Sequence, residues 1–163
     1  MFDAVLFDLD GTLADTAPDL CGTVNILLTE EGRPQQPFAS LRPHTSQGVR
    51  GLLGQGFGID SAHHEYERLA ARFLEIYAGQ LCDLSRLFDG IPDLLDALES
   101  HGIAWGIVTN KRARYTEPLV AALGLVPRTR CVVSGDTTAE AKPSPLPILH
   151  ACQILRCLPQ RTL

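Results

Sequence analysis

The stretch Ala4-Val5-Leu6-Phe7-Asp8-Leu9-Asp10-Gly11-Thr12 decides the fold. Its four consecutive apolar residues are too few for a helix and do not alternate, the pattern of a strand buried on both faces in a parallel sheet. The strand runs without a break into two aspartates and a Gly-Thr turn. The same order recurs twice further along. Ala104-Trp105-Gly106-Ile107-Val108 ends in Thr109-Asn110-Lys111, and Cys131-Val132-Val133 ends in Ser134-Gly135-Asp136. Three apolar strands that each end in small polar groups predict an open α/β sheet, in which ligands bind at the carboxyl ends of the strands.

The segments between these strands read as helices. Ile91, Leu94, Leu95 and Leu98 recur at helical spacing, with Pro92 near the start and Gly102 just past the end. A shorter helix is expected around Glu117 to Leu123, stopped by Gly124, and another from Pro145 to about Arg156. Strand and helix in alternation predict right-handed crossovers and a doubly wound, Rossmann-like parallel sheet. One insertion breaks the alternation. Leu20, Val24, Leu27 and Leu28 share one helical face, Tyr66, Leu69, Ala70, Phe73 and Tyr77 share another, and the Pro- and Gly-rich segment from Arg33 to Asp60 between them gives little periodic signal. The expected organisation is an α/β core of residues 1–15 and 88–163, with a small helical module of residues 16–87 inserted after the first strand.

Composition narrows the function classes. With 14 Lys plus Arg against 19 Asp plus Glu, the formal charge of −5 excludes a sequence-independent nucleic-acid binder, which needs a basic face to neutralise phosphates. No apolar run approaches the ~20 residues that span a bilayer, so no membrane partner is expected. Met1-Phe2-Asp3 opens the chain with no basic region and does not read as a secretory signal. The five cysteines, at 21, 82, 131, 152 and 157, are odd in number and show no paired spacing. They read as reduced thiols of a cytoplasmic protein.

The chemistry concentrates at the end of strand one. Asp8 and Asp10 would point the same way if the strand continued. Two carboxylates there repel one another unless a cation sits between them, and hard oxygen ligands suit Mg²⁺. Gly11 and Thr12 allow a sharp turn whose backbone amides are expected to face an anion above the metal. Asp15 either steers the surroundings of a general acid or begins the next helix near its positive N-terminus. The five histidines show no ligand-like pairing, and His63-His64 are expected at the surface before a helix. Cys21 reads as a packing residue.

Phe7-Asp8-Leu9-Asp10-Gly11-Thr12-Leu13-Ala14-Asp15-Thr16 resembles the first motif of the haloacid dehalogenase-like superfamily of phosphatases, and its phosphoglycolate phosphatase-like subgroup is the nearest match. Val108-Thr109-Asn110 resembles the second motif and Lys142-Pro143-Ser144-Pro145 the third. Phe88-Asp89-Gly90-Ile91-Pro92 resembles the point where the chain returns from a helical cap. The resemblance implies a Mg²⁺-dependent phosphatase of a small phosphate ester. Asp8 would be the nucleophile and form an aspartyl-phosphate, and Asp10 the general acid and base. Asp8 and Asp10 would both serve the metal. Lys142, Thr109, Asn110 and the Gly11-Thr12 backbone would hold the phosphoryl group. Gly48-Val49-Arg50-Gly51 falls where the subgroup places substrate-selecting groups, and Arg50 would clamp a substrate carboxylate from a loop. The family's fourth motif, an acidic strand end that completes the metal site, is not matched. Leu158 to Leu163 reads as the approach to that strand, so the C-terminal part of the core is expected to be missing, with one edge of strand one bare. Asp136 could stand in for the third carboxylate, although its place before Lys142 argues against it.

Three rival readings accompany this one. A sugar phosphomutase of the same fold would use the same aspartate pair. A receiver-like signalling domain would need its accepting Asp on a mid-chain strand, where this chain has Thr109-Asn110. A truncated, catalytically inactive fragment would keep the first motifs and lack the fourth. Association into a homo-oligomer is left open.

Overall fold

The computed structural model describes residues 2–163. The chain forms two compact units: Arg86–Leu163 together with the segment ending at Ala14, and Asp15–Ser85.

In the first unit, β1 (Ala4–Phe7), β4 (Ala104–Val108) and β5 (Val132–Val133) form a parallel sheet in the order β1-β4-β5. Ala4 lies opposite Ala104 and Phe7 opposite Ile107, and Val108 lies opposite Val133. Short strands β2 (Ala14–Asp15) and β3 (Arg86–Leu87) pair separately. The crossover helices are α5 (Ile91–Ser100) and α6 (Ala113–Ala122), and α7 (Leu146–Leu155) follows β5. Alternation along β4 sorts its neighbours. Val108 joins Cys131, Val133 and Ala151 of α7 in one apolar cluster, with Leu6, Ile148 and Leu155 against it. Trp105 points to the other face, where its ring meets Phe7 edge-on at 6.2 Å and its Nε1–H donates to Glu99 of α5 at 3.0 Å. Helices on both faces explain why β1 and β4 read as unbroken apolar runs.

Two expectations for this unit change. Helix α6 starts at Ala113, not near Glu117, because a carboxylate distant in sequence caps it: Asp136 Oδ1 accepts the Ala113 amide at 2.8 Å. Pro118 therefore sits inside the helix. The second edge of β1 is not bare over its first residues. Arg161 to Leu163 lies beside it, with the Asp3 amide donating to the Arg161 carbonyl (2.8 Å), the Leu163 amide to Ala4 (3.0 Å) and the Leu6 amide to Leu163 (2.8 Å). Thr162 bridges Ala4 in the parallel sense.

The second unit is helical: α1 (Ala17–Glu30), α2 (Phe38–Leu41), a 3-10 turn (Arg42–Gln47), α3 (Gly48–Phe57) and α4 (Tyr66–Gly79). The stripes expected on α1 and α4 supply Leu20, Val24, Leu27, Leu28, Leu69, Phe73 and Tyr77, all buried. At the surface, Arg68 and Arg72 of α4 pair with Glu31 (2.6 Å) and Glu30 (2.7 Å) at the end of α1. Those arginines hold both carboxyls below the usual range and offset the like charge of two glutamates at a helix C-terminus. The segment expected to be weakly structured contains α3. Four of its ten residues are glycines, which disfavour a helix by propensity but allow close approach. A Cβ on Gly56 would stand 3.0 Å from Val24 of α1. No helix of the described residues is long and apolar enough to cross a membrane.

Candidate active site

The site of the first unit gathers where β1 and β4 end. Asp8 follows the last residue of β1. Its Oδ1 accepts the Leu9 amide at 2.9 Å and lies 3.0 Å from Lys142 Nζ. The same Nζ donates to the Val108 carbonyl at the end of β4, at 2.7 Å. One lysine, 34 residues beyond β4, thus ties the ends of both strands together. Its own backbone is fixed by Asn110, whose Oδ1 accepts the Lys142 amide and whose Nδ2 donates to the Lys142 carbonyl, both at 2.9 Å.

Asp10 lies in the turn beyond Asp8, bridged to Ala14. Its Oδ1 is 3.0 Å from Nζ of Lys111, a side chain only 10% exposed. The Lys111 carbonyl accepts from the Gly135 amide (2.9 Å) and from Thr116 Oγ (3.0 Å), and its amide donates to Thr109 Oγ (3.2 Å). Thr109 itself is buried, 3% exposed. Gly135 is required by the close approach of the two strand-end loops. A Cβ there would lie 2.7 Å from the Asn110 carbonyl carbon and closer still to its oxygen.

Three assignments from the sequence change against this geometry. The Gly11 and Thr12 amides do not face outward. Gly11 donates to the Ala14 carbonyl at 2.8 Å and Thr12 to the Leu9 carbonyl at 3.4 Å, because the turn, with Gly11 at φ 78°, closes on itself. The Asn110 side chain is engaged on the Lys142 main chain and is not turned toward a phosphoryl group. Arg50 lies in the first turn of α3, exposed, and not in a loop. Asp136 caps α6, as described above. Among the described residues, no group of three or more His, Cys, Asp or Glu could hold a metal ion. Asp15 ends β2 just ahead of α1, with its Oδ1 accepting the Ala17 amide at 3.3 Å and its Oδ2 2.9 Å from Arg42.

Sequence reasoning missed two residues. Lys111 was visible only as the residue after Thr109-Asn110, and its partner Asp10 is a hundred positions away. Asp19 of α1 is 3% exposed and accepts the Leu84 amide (2.9 Å), the Ser85 amide (2.8 Å) and Ser85 Oγ (2.6 Å), clasping both ends of the second unit. All five cysteines are free thiols, as expected. Burial pushes the Cys21 and Cys131 thiols up to about 11.

Comparisons with known proteins agree with this arrangement. The profile described as haloacid dehalogenase-like hydrolase matches residues 5–163. The chain is 41% identical over 160 residues to an N-acetylmuramic acid 6-phosphate phosphatase of Pseudomonas aeruginosa, covering 98% of this chain and 71% of that one. It is 46% identical over 149 residues to a phosphoglycolate phosphatase of Xanthomonas campestris, covering 91% of this chain and 66% of that one. A crystal structure titled as a predicted phosphoglycolate phosphatase from Haemophilus somnus superposes with a TM-score of 0.82 at 26% identity, covering 99% of this chain and 75% of that one. The chain therefore spans about two thirds to three quarters of the length of the relatives it matches. With the sheet order, the strand-end aspartates and the lysine that ties β1 to β4 in place, the chain belongs to the haloacid dehalogenase-like hydrolase family, in its phosphoglycolate phosphatase-like subgroup.

Proposed function

We propose that the chain carries catalytic groups of a phosphatase for small phosphorylated acids, working through an aspartyl-phosphate on Asp8. The observation that supports this best is the Asp8–Lys142 pair at the carboxyl end of β1, within a cluster that also holds Asp10, Lys111 and Thr109. Lys142 and the Leu9 amide both hold Asp8 Oδ1, which leaves Oδ2 to attack phosphorus. As the Oδ2–P bond forms and the ester P–O bond breaks, Asp10 gives a proton to the leaving alkoxide. Asp10 then takes a proton from water, whose oxygen attacks phosphorus and releases phosphate, restoring Asp8. The Lys142 ammonium and the buried Thr109 hydroxyl offset charge on the phosphoryl oxygens. Asn110 holds Lys142 in register.

The donor set fits Mg²⁺. Asp8 and Asp10 present carboxylate oxygens on partly exposed side chains, and Mg²⁺ ordinarily takes one or two carboxylates with phosphate oxygens and water. When bound, it would supply positive charge against that developing on the phosphoryl group.

In this reading residues 16–87 act as the cap that excludes bulk water, and Arg50 on α3 selects substrates bearing a carboxylate. Both relatives' substrates, phosphoglycolate and N-acetylmuramic acid 6-phosphate, combine a phosphate monoester with a carboxylate. The test is hydrolysis of these two esters and of p-nitrophenyl phosphate with Mg²⁺, by wild type and Asp8→Asn. Turnover that Asp8→Asn abolishes supports the reading; turnover that survives the substitution ends it.

A further inference from the structure

We propose that Lys111 is a second phosphate-binding cation, held on Asp10 until the phosphoryl group arrives; the inference rests on the phosphatase reading above. Several of the phosphate donors expected from the sequence are engaged elsewhere. The Gly11 and Thr12 amides are turned into their own turn, and the Asn110 amide is engaged on Lys142. Lys142 spends two of its three N–H donors on Asp8 and the Val108 carbonyl. The Thr109 hydroxyl proton and one Lys142 proton remain from the expected set. Lys111 is the other cation of the cluster. Its Nζ lies 3.0 Å from Asp10 Oδ1.

Charge leads to the same assignment. Asp8, Asp10, Lys111 and Lys142 sum to zero, so each carboxylate of the resting cluster has its own lysine. A phosphate dianion competes with Asp10 for the Lys111 ammonium, and a dianion is the stronger competitor. The Lys111 backbone is held by Gly135, Thr116 and Thr109, so the exchange needs only side-chain rotation. Moving the ammonium onto a phosphoryl oxygen releases the Asp10 side chain from its ion pair as substrate binds.

The experiment measures binding of inorganic phosphate to the 163-residue chain by calorimetry, with Mg²⁺ present throughout. Lys111→Met should weaken phosphate binding ten- to a hundredfold, the worth of a lost charge-assisted hydrogen bond. Lys111→Gln is measured beside it, and thermal melts confirm that each variant is folded. The deciding comparison sets the pair Asp10→Asn with Lys111→Met against Asp10→Asn alone. If Lys111 served only to neutralise Asp10, the two bind phosphate within twofold of one another, and the proposal is overturned. If Lys111 touches phosphate, the pair binds at least tenfold more weakly than Asp10→Asn alone. Wild type that fails to bind phosphate defeats the phosphatase reading itself; wild type that binds while Lys111→Met binds equally well defeats this proposal alone.

Discussion

Gly135→Ala probes the joint on which the site depends. The added Cβ would stand 2.7 Å from the Asn110 carbonyl carbon and nearer to its oxygen. Both atoms belong to the backbone, so no side-chain rotation relieves the clash. Restoring ordinary van der Waals contact, about 3.5 Å, requires the β5 loop and the Thr109-Asn110-Lys111 loop to separate by on the order of 1 Å. Such overpacking costs about 1–3 kcal/mol, and loss of the 2.9 Å bond from the Gly135 amide to the Lys111 carbonyl adds about 1 kcal/mol. A total of about 2–4 kcal/mol lowers the melting temperature of a chain this long by roughly 5–15 °C. The same movement carries Thr109, Asn110 and Lys111, and a misplacement of about 1 Å near reacting groups costs about a hundredfold in rate. Differential scanning calorimetry reads the first effect and phosphate-ester turnover the second. A melting temperature within 2 °C of wild type would refute the argument that this glycine is required by backbone approach.

The remaining expectations concern the second unit, the ligand and the thiols. Asp19→Ala leaves the Leu84 amide, the Ser85 amide and Ser85 Oγ without their acceptor, so it should cost about 3–5 kcal/mol, read as a lower urea midpoint. Arg50→Ala should raise KM for carboxylate-bearing substrates by roughly ten- to a hundredfold and leave p-nitrophenyl phosphate hydrolysis nearly unchanged, whereas equal losses on both substrates would indicate a folding effect. Burial holds the Cys21 and Cys131 thiols protonated until about pH 11, so alkylation at pH 8 should label the half-buried Cys157 well before either. Labelling of Cys21 and Cys131 should accelerate as pH approaches 11.

The core of the fold was legible because β4 is buried on both faces and β1 is at least partly covered along its length, which favours the unbroken apolar runs of Ala4–Phe7 and Ala104–Val108. Asp8, Asp10 and Thr109 were legible because they follow those runs directly. What escaped depends on contacts distant in sequence. The start of α6 is set by Asp136, 23 residues away, whereas the local pattern places it around Glu117. Helix α3 forms against its glycine content because Gly51, Leu52, Leu53 and Phe57 are buried, and tertiary packing overrides propensity there. Lys111 was passed over because a lysine after a strand reads as a solvated charge until Asp10 is found beside it. The Gly11 and Thr12 amides were assigned outward from the motif alone, and only the turn geometry places their acceptors inside.

The central claim is that Asp8 accepts the phosphoryl group. Beryllium trifluoride mimics that group and bonds to a nucleophilic carboxylate, so ¹⁹F NMR of the chain with beryllofluoride and Mg²⁺ tests it without requiring turnover. The account predicts a bound fluoride signal for wild type that persists in Asp10→Asn and disappears in Asp8→Asn. The same bound signal in Asp8→Asn, or none in wild type, would contradict it.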